Sequence, residues 1–117
     1  MTEPTKVYVD GSTTRICWWF GEGDFSVEEI DKATNNQAEY LAVTAALVEA
    51  SKRGIRRIGV YSDSQLVMKQ LMGHYAIRDY TLQGLARNVW QIRQTGFDAV
   101  SFEWVPREQN PAGRILG

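Results

Sequence analysis

The stretch TNNQAEYLAVTAALVEASKRGIRRIGVYSD, residues 34–63, carries the pattern that decides the fold. Thr34 is an N-cap residue by type, and from Asn36 to Arg53 the apolar residues Ala38, Leu41, Ala42, Ala45 and Val48 recur at helical spacing until Gly54 stops the run. Arg57–Ser62 then alternates as a strand, with Ile58 and Val60 facing one way and Tyr61 the other. Upstream, Lys6–Asp10 reads as a strand with Val7 and Val9 on one face, ended by Gly11-Ser12. Arg15–Phe20 is rich in β-formers, Gly21–Asp24 is a turn, and Phe25–Ile30 is the returning strand of a hairpin. Downstream come a short helix over Ser64–Met72, an amphipathic helix over Leu82–Gln94 with Leu85, Val89 and Ile92, a strand over Val100–Val105, and a stub. Three strands, helix, strand, two helices, strand: this order implies an α/β domain around a mixed sheet and excludes a bundle, a sandwich and a TIM barrel.

The 117 residues suffice for a single domain, 1–117, and 44% hydrophobic with 23% charged residues excludes a disordered or fibrous chain. No apolar run reaches the length of a membrane span, and the start MTEPTK lacks the basic and apolar regions of a signal peptide. Cys17 alone forms no internal disulfide, so a reducing, cytoplasmic setting is expected. Charge is segregated. Residues 1–50 hold three basic against nine acidic groups, a net −6, and residues 51–117 hold ten against five, a net +5. An acidic site that holds cations beside a basic surface that meets a polyanion fits this division.

Three acids stand where carboxylates do chemistry. Asp10 and Asp63 each end an apolar strand, and Glu39 lies one turn into the helix on the side shared with Asn35 and Asn36. If the two strands are neighbours, their ends put two carboxylates side by side, and a helix entering over them adds the third. Such anions repel, and a divalent cation held by oxygen ligands, Mg²⁺ or Mn²⁺, resolves the repulsion.

With these contexts together the chain resembles a known family, type 1 ribonuclease H, over nearly its whole length. VYVDGS at 7–12, TNNQAEY at 34–40, YSDSQLVMKQLMG at 61–73 and FEWVPREQN at 102–110 are similar to that family's blocks, in its order. The resemblance implies an RNase H-like fold: a five-stranded mixed sheet, third strand antiparallel, flanked by helices. It also implies a metal-dependent endonuclease that cuts the RNA strand of an RNA/DNA hybrid with two Mg²⁺ (or Mn²⁺) ions. Asp10, Glu39 and Asp63 fall on the first three of the family's four acidic ligands, as catalytic and metal-binding residues. Thr34, Asn35, Asn36 and Gln65 fall on positions that contact the hybrid, and Ser12 and Arg107 are further substrate-binding candidates. Amides both donate and accept, as a 2′-OH requires.

The closing motif departs from the family. Counting without gaps from Asn110, the fourth carboxylate is replaced by Arg114, and the last helix is truncated or absent. A permanent cation there opposes a second ion, so weakened activity is expected, with Glu108 or Asn110 as substitute ligands. The family's basic protrusion is absent, and Arg78, Arg87 and Arg93 form a thin phosphate-facing stripe. His74 reads as a surface residue. Trp18 and Trp19 must point to opposite faces of the sheet, and the face left bare by the missing helix is a candidate for self-association or for cover by a C-terminal continuation. The competing reading is a catalytically silent module of the same fold that binds hybrid or double-stranded nucleic acid.

Overall fold

Two tight turns fold the start of the chain into a meander of β1 (Thr5–Gly11), β2 (Arg15–Gly21) and β3 (Asp24–Glu29). At the first turn the Ser12 hydroxyl accepts from the Arg15 amide at 3.1 Å. At the second, Gly23 takes φ 72°, a left-handed conformation that favours glycine. The computed structural model describes residues 3–117, and after the meander come α1 (Asn35–Lys52), β4 (Arg57–Ser62), α2 (Gln65–Leu71), α3 (Tyr80–Gly96) and β5 (Ala99–Trp104). A 3-10 turn at Arg107–Gln109 leads into α4 (Pro111–Leu116).

The five strands form one sheet in the order β3-β2-β1-β4-β5. β1, β4 and β5 pair in parallel, while β2 is antiparallel to both β1 and β3. The third strand is thus antiparallel to its neighbour, as expected. The strand that opposes the other four is β2, because two successive reversals bring β3 back to the direction of β1.

The alternation read in the sequence sorts the side chains. Val7, Val9, Ile58 and Val60 are fully or almost fully buried on the face that α1 covers, together with Ala42, Val43, Ala46 and Leu47 of the helix itself. Val48, expected on the apolar face, is exposed. The buried side of α1 is broader and rotated from the expected stripe because α1 packs on β1, β2 and α3 at once. Trp18 joins this core and Trp19 lies on the opposite face, as the strand period requires.

On that opposite face the residues after Asn110, expected as a stub, form α4. It packs on β1 and β2, burying Ala112 and Leu116 against Cys17, with Tyr8 and Trp19 alongside. Asn110 makes the helix possible. It is fully buried, its Oδ1 accepts from the Ala112 amide at 3.1 Å, and its Nδ2 donates to the Val9 carbonyl at 3.0 Å. At the far end Arg15 Nη2 donates to the Leu116 carbonyl at 2.9 Å. The cover stops there: Lys6, Tyr61, Ser101 and Glu103, farther along the same face, line an open hollow. No helix among the described residues is long and apolar enough to cross a membrane.

Candidate active site

β1 and β4 are parallel neighbours with Tyr8 opposite Tyr61, so Asp10 and Asp63, each two residues farther on, leave the sheet side by side. α1 supplies the third acid. Its first turn comes so near the end of β1 that a β-carbon at Gly11 would lie 2.5 Å from the Ala38 carbonyl carbon, which only glycine tolerates. The same approach lets the Gly11 amide donate to Glu39 Oε1 at 3.1 Å, while the Ser62 hydroxyl donates to Glu39 Oε2 at 3.2 Å. Oxygens of Asp10, Glu39 and Asp63 all lie within 4.8 Å of one another.

The crowding has an electrostatic consequence. Burial, and then the charge of Asp10 and the hydrogen bond with it, push the Glu39 carboxyl up to about 9. Asp10 is raised as well, mainly by burial, against the lowering effect of its hydrogen bond with Glu39. Without a cation the cluster therefore keeps a proton at neutral pH. An all-oxygen donor set under this repulsion fits a hard divalent ion, whose charge takes the proton's place.

Asp10 and Glu39 of the cluster open into a cleft of about 310 Å³, lined also by Ser12, Asn35, Asn36, Ser64, Arg107 and the end of α4. Arg107 Nη1 lies 3.3 Å from Asp63 Oδ2, which places this substrate-binding candidate beside the acids. Asn35 and Asn36, the first two residues of α1, are among the lining residues. Thr34 and Gln65 are not among the lining residues. Thr34 is occupied as the N-cap of α1, in a capping box with Gln37, and Gln65 is exposed at the start of α2. Ser12 lines the cleft, but its hydroxyl also closes the β1–β2 turn.

The C-terminal segment differs most from expectation. Gapless counting puts Arg114 in the fourth carboxylate's place, yet Arg114 is exposed and its Nη1 donates to the Glu108 carbonyl at 3.3 Å. Ala112, Gly113 and Leu116 make the buried side of α4, which leaves the charged side chain of Arg114 outside. The α4 residue that faces the acids is Gly113, where a β-carbon would lie 3.5 Å from Asp63 Oδ2. Neither substitute ligand is in position. Asn110 spends its amide on the staple to β1, and Glu108 is exposed outside the cluster. His74 is exposed, as expected.

Sequence reading missed the supporting residues Gly11, Ser62 and Ser64. Ser62 was within its reach, since it shares the inward parity of Ile58 and Val60 and a buried hydroxyl needs a partner. Gly113 was not, because its place depends on how α4 docks.

A family model described as reverse transcriptase-like matches residues 16–116. Ribonuclease HI of the archaeon Halobacterium salinarum is 37% identical over 120 residues, covering 93% of this chain, and the chain spans 60% of that relative's length. The crystal structure of RNase H1 from H. salinarum NRC-1 superposes with a TM-score of 0.87 at 34% identity, over 97% of this chain and 94% of the other. LC11-RNase H1, crystallised in complex with an RNA/DNA hybrid, superposes with a TM-score of 0.81 over 96% and 99% of the two chains; at 24% identity that likeness is one of fold.

Proposed function

The chain belongs to the type 1 ribonuclease H family, and on that premise we propose that it is an endoribonuclease cutting the RNA strand of RNA/DNA hybrids. One observation carries the reading: three carboxylates from two parallel strands and a helix meet within 4.8 Å, and two of them, Asp10 and Glu39, line an open cleft. Asp10, Glu39 and Asp63 would hold the metal, Mg²⁺ or Mn²⁺, with two ions expected. When bound, such ions activate water and stabilise the leaving oxygen in phosphodiester hydrolysis.

The chain's own residues then divide the remaining work. Gly11 and Ser62 hold Glu39 in one orientation, so the donor set is formed before any ligand arrives. Asn35 and Asn36 in the cleft lining offer donor and acceptor to a 2′-OH, the group that tells RNA from DNA. Arg107 is free to exchange its partial pairing with Asp63 for a substrate phosphate, because its side chain is 62% exposed. Ser12, Thr34 and Gln65 stay as weaker candidates for backbone contact, at or beyond the cleft's edge.

The test is cleavage of a labelled hybrid in Mg²⁺ and in Mn²⁺. The parent cuts, and Asp10→Asn lowers the rate by about 100-fold or more, as expected when a metal ligand goes. A parent that binds the hybrid without cutting it in either metal overturns the enzymatic reading. It would favour a silent binding module, a second reading supported by the absence of a carboxylate on the side of α4 that faces the site. We assign the activity to the cytoplasm, where the free, buried thiol of Cys17 stays reduced. The open hollow beside Tyr61 is the proposed surface for self-association, and a concentration-independent monomer mass in sedimentation would remove that part.

A further inference from the structure

A second cavity, of about 410 Å³, lies between the C-terminal end of α2 and one side of α3, lined by Gln70, Tyr75, Ile77, Gln83, Arg87 and Trp90. Its walls are apolar and flat, and its polar groups are few and fixed. The indole of Trp90 is held by its Nε1 donating to the Leu71 carbonyl at 3.0 Å. Tyr75 is half exposed, with Lys69 Nζ 5.1 Å from its ring centroid.

Two amides face the space with one end already committed. Gln70, only 5% exposed, accepts from the Tyr40 hydroxyl at 2.7 Å through Oε1, and its NH₂ has no hydrogen-bond partner among the described residues. Gln83 donates through Nε2 to the Ile77 carbonyl at 2.6 Å, and its Oε1 has no hydrogen-bond partner among the described residues. The cavity therefore offers one donor and one acceptor among walls that include the rings of Tyr75 and Trp90. The Arg87 guanidinium at its edge is exposed and makes no ion pair among the described residues.

Flat apolar walls with a donor and an acceptor match the face and edge of a nucleobase, and the guanidinium matches the phosphate that a nucleobase carries. α2 connects the two sites: Asp63 and Ser64 precede its first turn and Gln70 closes its last, and seven helical residues rise about 10 Å. That is about three nucleotide steps along a strand. We propose that this cavity binds an unpaired nucleobase with its phosphate, presented by a single-stranded extension of the nucleic acid that occupies the cleft. The proposal rests on the reading of the cleft as a nucleic-acid site, though the cavity's own chemistry does not.

Three measurements on the intact chain separate the possibilities. In EDTA, hybrids with a single-stranded extension bind about fivefold more tightly than the blunt hybrid. Tyr75→Ala and Gln83→Leu remove the gain while blunt-hybrid affinity and cleavage stay within about twofold. A nucleoside monophosphate shifts the Trp90 indole N–H resonance more than the nucleoside does, through Arg87. A nucleotide response with no gain from any extension overturns the strand and leaves a free-nucleotide site. Neither a gain nor a response overturns the proposal entirely. A blunt hybrid that is neither bound nor cut in Mg²⁺ strikes the reading of the cleft instead, and the nucleotide titration still decides this cavity.

Discussion

The three acids and α4 approach the same cleft, but they are held there by different means. Asp10 and Asp63 extend from paired strands in the middle of a sheet, and Glu39 from a helix of 18 residues packed on that sheet. α4 has six residues, its entry hangs on the Asn110 side chain and its exit on Arg15. A sheet fixes its donors by many shared backbone bonds, whereas a short helix fixes its face by a few side-chain bonds. The first arrangement tolerates little change in position, and the second can lose or regain a ligand by one substitution.

The largest effect to measure is the acids' mutual repulsion. Glu39 is pushed up to about 9 in the folded chain, from an ordinary value of 4.5, and Asp10 shifts in the same direction. The folded state therefore binds more protons, and the metal-free protein loses stability as pH rises from about 5 to about 9. Thermal melts in EDTA across that window will show the fall, and saturating Mg²⁺ will flatten it. A rise in stability with pH would mean that the acids are not crowded as described.

Next comes the staple. Asn110→Ala leaves the Val9 carbonyl and the Ala112 amide without their partner and costs about 2 kcal/mol, read as a lower midpoint in urea. If α4 is instead held chiefly by its apolar side, the loss will be under about 0.5 kcal/mol.

Gly113→Asp puts a carboxylate beside Asp63 and raises metal affinity by about tenfold, the equivalent of about 1.4 kcal/mol. Arg114→Asp, on the solvent side, changes affinity by less than about twofold. Metal titrations of the two variants sharpen the contrast, and a larger gain from Arg114→Asp would restore the gapless count. The smallest effect is Thr34→Ala, which costs about 1 kcal/mol of stability through the lost N-cap and changes hybrid affinity little. A large loss of affinity at unchanged stability would return Thr34 to the substrate surface.

Much of this was legible before any coordinates. The alternation in Lys6–Asp10 and Arg57–Ser62, the helical run after Thr34, and three acids at strand ends or a first helical turn are properties of residues close together in the chain. Local periodicity decides which face a side chain takes, and a carboxylate at the end of an apolar strand is visible as such. The family resemblance added the order of those pieces. Sequence alone thus sufficed for the two strands that end in Asp10 and Asp63, the helix that brings Glu39, and the chemistry of the three acids, while the parallel pairing of those strands came from the fold.

The tertiary structure alone decided the remainder. That residues 111–116 form a docked helix, that Gly113 and not Arg114 faces the acids, that Arg107 pairs with Asp63, and that a second cavity opens between α2 and α3 all depend on contacts between distant parts of the chain. Asn110 with Val9 and Arg15 with Leu116 are each 101 residues apart. A six-residue segment has too few apolar positions to declare its buried face, so the partner it meets across the fold chooses that face instead.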